Sequence, residues 1–132
     1  MNTKLFVLAA ATVCGLAAED AARRIMANVP FGFVSNGVKM AAGTYVVSAP
    51  AGDSIVKVRS VDTGKTILLM AGPASGDVSG VNALEFKRYN DVYFLSAVKV
   101  ASAGQKIALP YSRRQKEMAI AIKPEVIVAL GK

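Results

Sequence analysis

The 132-residue chain has no histidine, no tryptophan and one cysteine, and its 9 Asp and Glu are outnumbered by 16 Lys and Arg. Each shortage closes off chemistry. Without histidine there is no Ser-His-Asp triad and no Cys-His dyad. With a single cysteine besides, there is no zinc site of the usual ligand types and no disulfide framework. The expectation is a non-enzymatic protein with no cofactor and no metal. At this length one domain with a modest core is the starting assumption.

What the chain has is an apolar fraction of 53% and a formal net charge of +7. The first residues, Met1-Asn2-Thr3-Lys4, form a short basic start, and residues 5–18 carry no charge before Glu19-Asp20. That is the layout of a secretory signal peptide, and it is shorter than the ~20 apolar residues of a membrane-spanning helix. Gly15-Leu16-Ala17 satisfies the small-x-small rule for cleavage after Ala17. Cys14 follows Val13, where a lipoprotein signal wants a small residue, so it is read as part of the apolar stretch. The division is a signal peptide over 1–18 and a single exported domain over 19–132, periplasmic or extracellular, with no membrane span after cleavage.

From Ile25 onward, short runs rich in Val, Ile, Phe and Tyr alternate with turn residues, the signature of an all-β sandwich or barrel. The expected architecture is mostly antiparallel, with about seven or eight strands and one short C-terminal helix. Strands are placed near 25–34, 38–41, 44–49, 55–61, 66–71, 83–89, 92–100 and 120–129. Asn36-Gly37 and Asn90-Asp91 suit tight hairpins, Asp62-Thr63-Gly64 a type I turn with a Gly bulge, and Pro50-Ala51-Gly52-Asp53 a longer turn. The helix starts at Ser112, which with Gln115 forms a Ser-x-x-Gln capping box, and ends before Pro124. Met118 and Ile122 share one face of it. The stretch from Gly72 to Asn82 reads as a long loop.

The hairpin around Asn90-Asp91 specifies its own register: 89 faces 92, 88 faces 93, 86 faces 95 and 84 faces 97. Leu84, Phe86, Leu95 and Ala97 then share a face, and Arg88 lies opposite Tyr93. Phe94, Ser96 and Val98 fall on the other, so the second strand is apolar on both sides. Both faces are covered within the domain, or one is offered to another chain. Pro30 lacks an N–H, which makes the first strand an edge.

Three short matches invite enzymatic readings. Gly52-Asp53-Ser54 resembles a serine-hydrolase block that needs a histidine, and Gly64-Lys65-Thr66 resembles the end of a phosphate-binding loop, but Arg59 stands where that loop needs glycine. Asp62-Thr63-Gly64 resembles the catalytic loop of dimeric aspartic proteases, whose carboxylate dyad Lys65 would disturb. A hairpin turn accounts for those three residues without chemistry, and the protease using Asp62 stays as a minor alternative.

Four ordered motifs carry a wider resemblance: Ala27-Asn28-Val29-Pro30-Phe31-Gly32-Phe33, Ala42-Gly43-Thr44-Tyr45, Phe86-Lys87-Arg88-Tyr89 with Tyr93-Phe94-Leu95-Ser96, and Leu109-Pro110-Tyr111-Ser112-Arg113. Together they resemble a family of small exported bacterial β proteins of unassigned function, over about residues 27 to 119. The chain departs from that pattern at Gly32, Ala42, Lys87 and Tyr111. The resemblance implies export and a β fold, and supplies no catalytic residues.

Solvated strand faces account for most of the cations, and the remaining patch is read as facing an anionic partner. The candidate patch is Lys87, Arg88, Tyr89 and Tyr93 with Arg113, Arg114 and Lys116, facing an anionic polysaccharide or envelope surface; nucleic acid, which would want a stripe of cations and stacking aromatics, fits the compartment poorly. The second expectation is self-association into a homo-oligomer or fibre. The run Glu125-Val126-Ile127-Val128-Ala129-Leu130 is apolar on both faces. It either closes its own barrel or, through Val126, Ile127, Val128 and Leu130, is donated to a neighbour.

Overall fold

Pro30 splits the first apolar run into two strands that belong to different sheets. The computed structural model describes residues 24–49 and 54–132. The signal segment, Cys14 and the Pro50-Ala51-Gly52-Asp53 turn lie outside the described residues. β1 (Arg24–Val29) stops before Pro30, and β2 (Phe33–Ser35) resumes after Gly32. Then follow β3 (Val38–Met40), β4 (Gly43–Ser48), β5 (Ile55–Ser60), β6 (Thr66–Met70) and β7 (Ala74–Gly76). The chain continues through β8 (Ala83–Tyr89), β9 (Val92–Val100), β10 (Gln105–Ala108), the helix α1 (Arg113–Ala121) and β11 (Glu125–Leu130).

These strands make a sandwich, mostly antiparallel and without a closed barrel. One sheet has the order β1-β4-β5-β6. The other runs β11-β8-β9-β10-β7, with β2 joined in parallel to β9 at Val34 and Phe94 and β3 paired to β2. Strict alternation drives the first sheet: Ile25, Ala27 and Val29 of β1 are buried while Arg24, Met26 and Asn28 face water. Tyr45, Val47, Val56, Val58 and Leu69 continue the inner face and meet Leu84, Phe86, Leu95, Val98, Val100 and Ile107 of the second sheet in one core. As Pro30 implied, β1 is an edge; among the described residues its outer side is bridged near residues 131 and 132, with Ala27 opposite Gly131.

The turn at Asn90-Asp91 sets the register from Tyr89–Val92 down to Phe86–Leu95, as the sequence predicts. Beyond that a β-bulge intervenes, and Leu84 pairs with Val98 and Glu85 with Ala97, not Leu84 with Ala97. Val98 rather than Ala97 therefore joins the core. The bulge is held by side-chain and backbone bonds: Ser96 Oγ donates to the Glu85 carbonyl at 3.1 Å, and the Leu109 N–H donates to the Ser96 carbonyl at 2.9 Å. A bulge inserts one unpaired residue and flips the faces beyond it.

Two strands have no counterpart in the sequence reading, and one is shorter than expected. β7 lies within the expected loop and pairs with β10 (Ser75 with Lys106), whose sequence Gln105-Lys106-Ile107-Ala108 has too little apolar pattern to announce itself. The last strand begins at Glu125 instead of 120, because the helix holds the chain to Ala121 and Pro124 ends any helical continuation.

The second face of β9 is covered within the chain. Met118 and Ile122 close over Tyr89, Phe94, Val34 and Val92, forming a small second core. The Ser112 hydroxyl accepts the Gln115 N–H at 3.2 Å, as the capping box requires, but the Gln115 side chain turns the other way, into this core. Glu85 is buried on the same side of the sheet and is paired with Lys106 at 3.1 Å.

Candidate functional site

The residues of the expected basic patch divide into three groups. Tyr89 is 0% exposed and belongs to the interior. Its hydroxyl accepts from Gln115 Nε2 at 3.4 Å and also bonds Tyr111, whose hydroxyl in turn accepts a hydrogen bond from Lys87 Nζ. Lys87 further lies 5.0 Å from the Tyr111 ring centroid. Lys87, Tyr89, Tyr111 and Gln115 thus form a polar chain that seats the segment before α1 on the sheet. Lys87 was expected to face a partner; its ammonium is instead spent on this internal contact.

Arg88 and Arg113 form the second group, each already engaged by a carboxylate. Arg88 stacks over Tyr93 at 5.7 Å, as the hairpin register predicts, lies 3.6 Å from Glu125, and donates from Nε to the Asn90 carbonyl at 2.7 Å. Arg113 pairs with Glu117 one turn along the helix at 3.4 Å. Both pairs are solvent-exposed and contribute little, about 0–1 kcal/mol each.

The third group opens onto a groove of about 310 Å³. Its walls are the β2–β3 hairpin, the β8–β9 turn and the first turn of α1. Arg114 and Lys39 line it together with Tyr93, and Asp91 is the acidic group among its lining residues; Phe33 and Met40 contribute apolar floor. The Tyr93 ring is stacked at 3.9 Å on Phe31, which packs edge-on against Phe86 at 4.9 Å. That chain of rings runs from the groove into the core and holds the groove wall rigid. Lys65 is anchored nearby, its Nζ donating to the Lys39 carbonyl at 3.0 Å.

Lys39 was not singled out from sequence. Asn36-Gly37 announces its hairpin, and Asn36 and Gly37 do sit at positive φ of 50° and 73°, but only the long-range pairing of β2 with β9 brings it opposite Arg114. Lys116 is exposed on α1 and completes the first-turn cluster with Arg113 and Arg114.

Asp62 has a structural occupation. It sits in the exposed β5–β6 turn, where the Gly64 N–H donates to the Ser60 carbonyl at 2.9 Å and Gly64 takes φ of 76°. Its carboxylate accepts the Thr44 N–H at 3.3 Å, tying the turn to β4. Gly43 makes room for this contact, since a Cβ there would stand 2.4 Å from Asp62 Oδ2. Among the described residues no three His, Cys, Asp or Glu side chains converge as a metal site would require, and no helix is long and apolar enough to cross a membrane.

Comparison with known protein families, with curated proteins and with solved structures finds no match for this chain. The groove must be interpreted from its own chemistry.

Two tyrosines report on the packing around it. Burial pushes the Tyr89 hydroxyl above its usual value near 10, with the Tyr111 bond adding to the rise and Gln115 and Lys87 opposing it. Tyr45, whose hydroxyl bonds the Ala41 carbonyl, is raised by burial and by the negative charge of Asp62. Because the folded state holds both protons more tightly than the unfolded state, this stability is present below about pH 10 and lost as pH rises through the raised folded values. With no tryptophan to mask it, tyrosinate absorbance follows this directly. Tyr45 and Tyr89 should ionise late and together with the loss of β circular dichroism, and Tyr89→Phe should remove part of the late step. Ionisation of both near pH 10 with the sheets intact would contradict the packing described.

Proposed function

We propose that this chain is an exported, non-enzymatic binding protein of the cell envelope or exterior, and that its groove takes a segment of anionic polysaccharide. The supporting observation is the pairing of Lys39 with Arg114 across an apolar-floored groove that Tyr93 helps to line. Uronic-acid chains present carboxylates for the cations and apolar sugar faces for the floor of the groove. The helix itself adds weight. Arg113, Arg114 and Lys116 crowd the N-terminal turn of α1, where the helix dipole disfavours cations by about 0.3–1 kcal/mol apiece. Glu117 compensates Arg113 alone. A bound anion relieves the remainder. Export is supported by the leader-like composition of residues 1–18.

The test is a calorimetric titration with polygalacturonate. The protein should bind it with an affinity that falls as salt rises, and Lys39→Ala with Arg114→Ala should weaken binding by at least about tenfold, the loss expected for charge-assisted contacts. A neutral glucan should not bind. Equal affinity of the double variant, or salt-independent binding, would reject the groove as the site.

A second reading, self-association, is favoured by a separate observation. β11 is the outermost strand of its sheet, and Val126, Val128 and Leu130 are exposed along it, Leu130 by 70%. An edge strand with an apolar row is a template for pairing with another copy. Edge-to-edge pairing would keep β11 in place, whereas donation would first require breaking its six residue pairs with β8.

A further inference from the structure

The outer face of the four-stranded sheet combines cations with exposed apolar side chains. Strand register lays out its rows. Met26, Val46, Arg59 and Thr66 form one row across the sheet, and Arg24, Ser48, Lys57 and Leu68 form the next. Ile55 opposite Met70 extends the apolar side beyond them. Leu68 is 57% and Met70 61% exposed, and Met26 is exposed by half. Among the described residues, no Asp or Glu lies on this face. Among the described residues, Arg24, Lys57 and Arg59 have no carboxylate within salt-bridge distance.

Water-facing strands ordinarily interleave both signs of charge with neutral polar groups. A face that is basic and apolar at once matches an interface that is negative at its surface and apolar just beneath. We infer that this face docks peripherally on an anionic lipid bilayer, with Arg24, Lys57 and Arg59 at the headgroups and Met26, Leu68 and Met70 entering the headgroup–acyl boundary. Charge complementarity selects the occupant: a second copy of this chain would bring three more cations against these three, and an uncharged apolar partner would leave them without counter-charge. Methionine and leucine suit the boundary because they are flexible or compact and bear no strong hydrogen-bonding group. The site shares no residue with the Lys39–Arg114 groove and does not rest on the polysaccharide reading.

The experiment uses the full chain as recovered from expressing cells, with vesicles of phosphatidylcholine alone and of phosphatidylcholine and phosphatidylglycerol in equal parts. Sedimentation should carry the protein down with the mixed vesicles and leave it in solution with the neutral ones, and added salt should release it. Lys57→Ala with Arg59→Ala should lower the partition constant about 30-fold, taking the usual contribution of a cation near an anionic leaflet for each. All these side chains are exposed, so an unchanged melting temperature separates lost binding from lost folding. The absence of native tryptophan gives a second readout. Leu68→Trp emission should shift to the blue on mixed vesicles, while Ile120→Trp, on the exposed side of α1, should not shift. No binding to mixed vesicles, undiminished binding by the Lys57/Arg59 variant, or a shift at position 120 in place of 68 would overturn the proposal. If the Lys39/Arg114 variant alone lost vesicle binding, the groove would be the headgroup site and this face would not.

Discussion

Deletion of residues 125–132 is expected to destabilise the protein severely, by more than about 3 kcal/mol, and at 37 °C to leave much of it unfolded. β11 pairs with β8 from Glu125–Arg88 through Leu130–Ala83. It contributes Ala129 to the core, and Ile127 packs against the same cluster. Removing it uncovers one side of Leu84 and Phe86, both 0% exposed in the intact fold, and strips β8 of a whole ladder of hydrogen bonds. Burying one large aliphatic side chain contributes about 1.5–3 kcal/mol, and a domain of this size has only about 5–15 kcal/mol in total. The bridges from Gly131 and Lys132 to Asn82 and Met26, which join the two sheets at this corner, are lost as well. Urea unfolding followed by circular dichroism measures the effect. A truncated chain that keeps its midpoint but no longer assembles would mean that the strand serves a neighbour and not its own sheet. To separate the two, Val126→Lys with Val128→Lys leaves the internal pairing intact and charges only the exposed row. This variant should keep the parent's urea midpoint, and light scattering over a concentration series should show any oligomer formed through the β11 edge dissociating in it.

Phe86→Ala should cost about 3–5 kcal/mol, the range for truncating a fully buried aromatic side chain. Phe86 sits where the two sheets and the groove wall meet: its ring contacts Phe31 edge-on at 4.9 Å and Phe33 at 5.2 Å, and Phe33 meets Tyr45 at 5.0 Å. Truncation leaves a cavity that backbone pairing on both sides of β8 prevents from collapsing. The same change removes support from Phe31 and through it from Tyr93, so the groove should loosen as well as the core. Thermal melting checks the first effect and polygalacturonate affinity at low temperature the second. Phe86→Leu, which keeps most of the volume, should recover much of both. A loss under 1 kcal/mol for the alanine variant would show that the ring cluster does not carry the packing assigned to it.

Much of the strand layout was legible in the sequence because its signals are local. Alternation in Arg24–Val29 and Ile55–Ser60, the Asn36-Gly37 and Asn90-Asp91 turns, and the Ser112 cap each act over a few residues, and each stands where those residues place it. The stacking of Arg88 on Tyr93 was legible for the same reason, since a two-residue turn determines which side chains oppose each other near it. Farther from the turn that certainty fades. The bulge between Glu85 and Phe86 reverses the expected roles of Ala97 and Val98, and the contacts that hold it come from Ser96 and from Leu109, outside the hairpin.

The candidate site was legible only in part, for a related reason. A basic and aromatic cluster around the hairpin and the helix start could be named from composition, but not which of its members face water. Tyr89 has the right chemistry for a surface ring and is buried because α1 folds back across it, and Lys87 is drawn inward by Tyr111. Lys39 enters because β2 pairs in parallel with β9, a contact between distant segments that no local pattern encodes. By itself the sequence determined a β domain, its turns, its capped helix and its surplus of positive charge, since these follow from backbone preference, alternation and counting. Tertiary structure alone decided which sheet each strand joined, which cations found carboxylate partners among the described residues, and where a groove and a basic face would open, because those properties exist only once distant strands have met.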